Sequence, residues 1–245
     1  MKKRIVTIAL VVALLATCFA GTYAYLQDDD SAINVMTMGR VEIVQHEKER
    51  AQDGSLQDFT QNKKAYPAVG EVAYEAAPTL IGGANQFLFA DSLKNVVDKF
   101  VYVENTGKDA AYIRTIVLVE APNYDDKDLI GLNVGTGANV TDLTIGQWTP
   151  VDINGVQWLY NVFTYRDALA PDALSRVSLA QLYLDKETTN EDCAAFGDTW
   201  EILALSQGVQ EAGFADATTA LNTAFGEPSV ANVTTWFNAV INANP

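Results

Sequence analysis

Lys99-Phe100-Val101-Tyr102-Val103-Glu104, then Asn105-Thr106-Gly107, then Ala111-Tyr112-Ile113-Arg114-Thr115-Ile116-Val117-Leu118-Val119-Glu120, is the stretch that decides the fold. Both flanks are rich in β-branched and aromatic residues, which suit a pleated, packed surface. Asn105-Thr106-Gly107 between them is a turn signal, so the stretch reads as a hairpin. Ala121-Pro122-Asn123-Tyr124-Asp125-Asp126 ends its second strand. Phe100–Val103 and Ile113–Val119 are apolar and low in charge. Exposed, such runs stack as cross-β; the expectation here is two central, buried strands.

Further strands lie on either side. Asp142–Trp148 is a short one, and the turn Asp152-Ile153-Asn154-Gly155 leads into Val156–Tyr165. Val177–Leu184 and Thr199–Ser206 are two more. On the N-terminal side, Asn34–Val44 reads as a strand broken at Gly39, its second half alternating polar and apolar residues. Gln45–Lys64 is polar and without periodicity, so it reads as a loop. Many strands with turns between them indicate a mainly β antiparallel sandwich.

The period changes near the C-terminus. Phe214, Ala217, Leu221, Ala224 and Phe225 recur at helical spacing, and Gly226 closes that helix. Pro228 is placed to begin another, with an apolar stripe of Val230, Val233, Trp236, Phe237, Val240 and Ile241. The expectation is one sandwich domain over residues 25–245, with a helical part at about 213–242.

The other end carries an export signal. Lys2-Lys3-Arg4 is followed by an apolar run from Ile5 to Ala20 and then Gly21-Thr22-Tyr23-Ala24. Basic start, apolar middle and small residues at the cut are the three parts of a secretory signal. Thr22 and Ala24 suit a peptidase cleft, which places the cut between Ala24 and Tyr25 and the signal at 1–24. Two alternatives stand beside it. Ile5–Leu26 is nearly long enough for an uncleaved anchor. Leu15-Ala16-Thr17-Cys18 is close to a lipobox, although Thr17 departs from it.

Composition limits the partners. The chain has 16 basic and 31 acidic residues, a net charge of −15. Three of the basic residues and none of the acids fall in the signal, so residues 25–245 carry −18. Such a surface repels nucleic acid and anionic membranes, leaving the uncleaved signal as the membrane contact. Removing the signal leaves Cys193 without Cys18, so no intramolecular disulfide is available and stability rests on the core.

Catalytic chemistry finds little support. His46, the one histidine, opens His46-Glu47-Lys48-Glu49-Arg50, half of a zinc-peptidase motif. That motif needs a second histidine where Arg50 stands. The expectation for His46 is a solvated residue just past a strand. Glu191 and Asp192 would raise the Cys193 pKa, which disfavours a thiolate. No cofactor is expected. Calcium is the ion that Asp125, Asp126 and Asp128 suit best, since hard cations gather several loop oxygens, but their spacing matches no known calcium loop and a solvated acidic turn is the favoured reading.

Several of these features together resemble the TasA and camelysin family of Gram-positive surface proteins, exported through a SipW-type signal peptidase. The signal ending Gly21-Thr22-Tyr23-Ala24-Tyr25-Leu26, the acids Asp28-Asp29-Asp30 after it, Asn34 and Gly39-x-Val41-x-Ile43 carry the N-terminal part. Lys99–Gly107 with Ala111–Arg114 is similar to that family's central strands. Leu169-Ala170-Pro171, Leu174–Leu179 and Val209–Phe214 are similar to its later segments. The resemblance covers about half the chain and leaves 45–95 and 121–150 uncovered. It implies a jelly-roll-like sandwich and an extracellular role, in fibre-forming biofilm matrix proteins assembled by strand exchange; some members have been called metallopeptidases.

The expected function is therefore that of a secreted cell-surface or biofilm-matrix structural protein, not an enzyme, that associates with itself. The candidate donor strand is Asn34, Val35, Met36, Met38, Val41 and Ile43. Freed by the cut at Tyr25, it can add to an exposed sheet edge of the next copy, or pair within its own sandwich as an ordinary edge strand. An adhesin or carbohydrate-binding module using Trp148, Trp158 or Tyr124 is the second expectation, and a secreted hydrolase the third.

Overall fold

A computed structural model describes residues 35–38, 40–51, 55–59, 74–77, 86–89, 97–121, 130–134, 143–184, 189, 191, 194 and 201–243. The strands are β1 (Val35–Met38), β2 (Ile43–Arg50), β3 (Leu56–Asp58), β4 (Tyr74–Ala77), β5 (Gln86–Phe89), β6 (Val97–Asp98) and β7 (Phe100–Asn105). They continue with β8 (Ala111–Glu120), β9 (Ile130–Val134), β10 (Leu143–Ile145), β11 (Thr149–Ile153), β12 (Val156–Tyr165), β13 (Leu179–Leu184) and β14 (Ile202–Gln210). Helices α1 (Ala217–Phe225) and α2 (Val230–Ala243) follow. The fold is a mainly β sandwich with antiparallel sheets and a helical end.

The first sheet runs β1-β14-β8-β12-β10, with β11 also pairing β12. The second is built around β7. One edge of β7 pairs β2, which in turn pairs β3. Along its other edge runs the segment 172–180: Ser175 N–H donates to Val103 O, Ser178 N–H to Val101 O, and Lys99 N–H to Ala180 O. That segment continues into β13, which pairs β6 and β9. β4 and β5 form a separate antiparallel pair.

β8 explains the layering. Its odd-numbered Ala111, Ile113, Val117 and Val119 face the second sheet, where Ile43, Val101, Val103 and Leu179 meet them. Its even-numbered Ile116 and Leu118 face the other way and pack with Val233, Trp236, Phe237 and Val240 of α2. Tyr112 and Val209 pack against Ala217, Ala220 and Leu221 of α1. Because β8 is covered on both sides, its sequence is a continuous apolar run and not an alternating one. Each large side chain buried this way contributes about 1.5–3 kcal/mol.

The hairpin expected at 99–120 does not form. β7 pairs β2 and the 172–180 segment, while β8 pairs β12 and β14, so the two strands sit in opposite sheets. Their inner side chains meet face to face across the core. Residues 106–110 carry the chain over the end of the sandwich. Asn105 Nδ2 donates to Asp109 O (2.9 Å) and Leu169 O (2.8 Å), and Thr106 and Gly107 N–H both donate to Glu42 O at 3.0 Å.

Gln45–Lys64 is not all loop. β2 continues through Arg50 and β3 follows at 56–58. The strand is polar because cross-strand ion pairs hold it: Lys48 with Asp58, Glu47 with Lys99, and Arg50 with Asp98 at 2.5 Å. The turn expected at 152–155 is narrower, Asn154-Gly155, and it joins β12 to β11 (149–153), a strand not expected from the sequence. Asn154 and Gly155 take φ 56° and 82°, the left-handed pair of a tight two-residue turn. α1 is capped by Asp216 and closed by Gly226 at φ 86°.

Candidate functional site

The region singled out as a donor strand lies at one edge of the sandwich, and the structure divides it. Asn34 lies outside the described residues. Val35, Met36 and Met38 belong to β1, the end strand of the first sheet. Val41 and Ile43 belong to the crossing into β2 in the second sheet, buried to 5% and 7% exposure. The expected single strand with a break is thus two strands in two sheets. Gly208 on β14 permits this crossing: a Cβ there would stand 3.0 Å from Ile43 Cδ1 and 3.2 Å from Val41 Cγ1. With no side chain at 208, Val41 and Ile43 settle onto that strand from the opposite sheet.

β1 runs parallel to β14, pairing Val35 with Ser206, Met36 with Gln207, Thr37 with Gly208 and Met38 with Val209. It is the one parallel pairing among the described strands, and parallel ladders are slightly less stable per residue than antiparallel ones. Val35 packs on the inter-sheet core and Met36 on the helix-side core. Gln207 Nε2 donates to Met36 Sδ at 3.4 Å. Met38 is exposed at 38%.

The strand beneath β1 is fixed independently of it. Ser206 Oγ donates to Gln45 Oε1 at 2.7 Å and shares a hydrogen bond with Thr115 Oγ1 at 3.0 Å. Gln45 Nε2 donates back to Ala204 O at 3.2 Å. β14 is therefore tied to the second sheet through β2 and to β8. On the far side, Gln207 Oε1 accepts from Arg114 Nε at 2.5 Å. The groove that receives β1 is held by side chains that are not part of β1. Gln45, Arg114 and Gln207 were not singled out from the sequence. An arginine inside the apolar run 112–119 was the available signal.

His46 is not past a strand but inside β2, where a helical zinc motif has no place. It is half-buried, stacks on Tyr102 with ring centroids 4.8 Å apart, and its Nε2 lies 2.9 Å from Glu104 Oε2. Burial pushes the Tyr102 hydroxyl above its ordinary pKa. Arg50, four residues along the same strand, engages Asp98 instead. Asp58 is held below the usual carboxylate range, first by its hydrogen bond from Lys48.

The remaining candidates divide in the same way. Trp148 is half-buried against the inter-sheet core and Trp158 is 2% exposed, so neither is an open aromatic platform for a glycan. Tyr124, Cys18, Cys193, Thr22, Ala24, Tyr25, Asp28–Asp30, and the calcium candidates Asp125, Asp126 and Asp128 lie outside the described residues. Among the described residues, no group of three or more His, Cys, Asp or Glu is placed to hold a metal ion. Among them too, no helix is long and apolar enough to cross a membrane. Comparison with family models, with curated proteins and with solved structures finds no match to this chain.

Proposed function

We propose that the chain is a secreted structural protein of a cell surface or biofilm matrix, of the TasA and camelysin kind, whose copies join by donating β1. One observation carries the reading: β1 is a four-residue end strand, paired parallel in an otherwise antiparallel sheet, on a strand edge that side chains outside β1 fix in place. A strand bound this way can be replaced by the same strand of a neighbouring copy with identical partners, Ser206 to Val209. Donation from one copy to the next does not close and grows a filament. The reading includes cleavage by a SipW-type signal peptidase after Ala24. Before the cut β1 is tethered close to the membrane, and after it the strand is free to reach another copy. It also includes a jelly-roll-like strand order and no catalytic role.

Electron microscopy of the chain beginning at Tyr25 tests the reading. Filaments are expected. Deleting residues 25–38 is expected to abolish them while the circular dichroism stays β-rich. Filaments that persist in the deletion sink strand donation.

A further inference from the structure

We infer that Met36 and Met38 form an oxidation-sensitive latch, and that peroxide acting on these two thioethers loosens β1 from β14. The inference concerns the docking of β1 within its own sheet and does not depend on assembly.

The chain has three methionines, and apart from the initiator both lie in this four-residue strand. They fall on alternate positions, opposite Gln207 and Val209, so both face the helix side of the sheet. Met38 is exposed and Met36 is half-buried, so neither side chain is sealed from a small oxidant. The reaction balances with a peroxide alone. A sulfur lone pair attacks the peroxide oxygen, the O–O bond breaks and an S–O bond forms. The sulfur is oxidised by two electrons and the peroxide is reduced to water.

The geometry around Met36 makes the product costly. Its Sδ sits among apolar side chains and 3.4 Å from Gln207 Nε2. Gln207 is fully buried, and its other end is pinned by Arg114, so its amide cannot retreat. A sulfoxide oxygen formed on that side has to fit between sulfur and amide, where an N–H···O bond alone takes about 2.9 Å. The sulfur must then move outward and carry β1 with it, or the polar oxygen must turn into the apolar cluster.

The test treats the purified full chain with dilute hydrogen peroxide. Peptide mass follows residues 35–38, and amide hydrogen exchange follows the same peptide. The expected result is one added oxygen on each methionine and exchange of this peptide about tenfold faster, as weaker docking of β1 implies. Enzymatic reduction of the sulfoxides is expected to restore the original rate. Met36→Leu with Met38→Leu keeps the apolar volume and is expected to show no response to peroxide. Oxidised chain with unchanged or slower exchange overturns the inference, as does faster exchange that reduction fails to reverse. Should the double variant not fold, reversal on the native chain decides alone.

Discussion

Arg114 Nη2 donates to the Gly226 carbonyl oxygen at 2.8 Å, so a guanidinium in the middle of the first sheet holds the last turn of α1. Its Nε donates to Gln207 Oε1 at 2.5 Å and its Nη1 to Asn222 Oδ1 at 2.9 Å. The Trp236 ring of α2 lies 5.1 Å from its Cζ. None of the ion pairs among the described residues includes Arg114. Its charge is met by neutral acceptors, by an aromatic face and by the negative end of the α1 dipole. Burial pushes its pKa down to about 10, which leaves it charged at neutral pH.

Replacing it should loosen the helical layer. Arg114→Ala strands three buried or half-buried acceptors and should cost about 3 kcal/mol, at roughly 1 kcal/mol or more for each. Arg114→Lys keeps the charge but lacks the fork that spans Gln207, Asn222 and Gly226, and should cost about 2 kcal/mol. Urea unfolding followed by tryptophan fluorescence measures both. An Arg114→Ala midpoint equal to the parent's would remove Arg114 as the link between sheet and helices.

Gly208 is a second point of close approach, between the two sheets. Its missing side chain admits Ile43 and Val41, so Gly208→Val should wedge the sheets apart at the β1 edge. Overpacking of this kind costs about 1–3 kcal/mol. Adding Ile43→Ala in the same chain frees the space and should recover part of the loss. A double-mutant cycle on denaturation midpoints reads that coupling, and simple additivity would refute the contact.

How much of this was legible depends on the physical signal each element carries. The apolar stripes of α1 and α2 are periodic, and Gly226 and the Asn154-Gly155 turn need left-handed backbone, so these elements stand where the sequence puts them. The burial of Phe100–Val103 and Ile113–Val119 was legible from composition. Their partners were not. Alternation tells which face of a strand is buried, but not which strand lies beside it, so two strands facing each other across a core look like a hairpin when a turn signal joins them. β2 escaped for a different reason. From Gln45 to Arg50 its stabilising contacts are ion pairs to Asp58, Asp98 and Lys99 and the His46–Glu104 hydrogen bond, all made across strands, and no local period reports them. The β1 groove depends on Gln45, Thr115, Ser206 and Gln207, which come together only once the sandwich is built.

Glu120 gives a pH signature at the end of β8. Burial raises its pKa above the ordinary 4.5, only partly offset by the hydrogen bond from the Glu201 N–H at 3.1 Å. The folded chain therefore holds this proton more tightly than the unfolded one. Stability from this group falls as pH rises from the ordinary value through the raised one, and the penalty is complete at neutral pH. Glu120→Gln keeps an acceptor for Glu201 and removes the charge. It should stabilise the chain at pH 7 by less than about 1 kcal/mol, because solvent screens a half-buried side chain. The advantage should vanish below pH 4.5, where both forms are neutral. A gain that is the same at both pH values would point away from ionisation.

Asp216 has the opposite sign. Its carboxylate accepts from Thr219 N–H at 2.8 Å and from the Thr219 hydroxyl at 2.9 Å, capping the first turn of α1. The backbone hydrogen bond, more than the hydroxyl, holds its pKa below the ordinary 3.8. A carboxylate with a depressed folded pKa contributes stability that is complete above its unfolded value and is lost as pH falls through the folded one. Asp216→Ala should therefore weaken α1 at pH 7, seen as a lower midpoint for loss of helical dichroism. The gap between parent and variant should narrow as the pH drops below 3.8, because acid neutralises the carboxylate and leaves a weaker, uncharged cap. A gap that keeps its full size in acid would mean that the cap works without its charge.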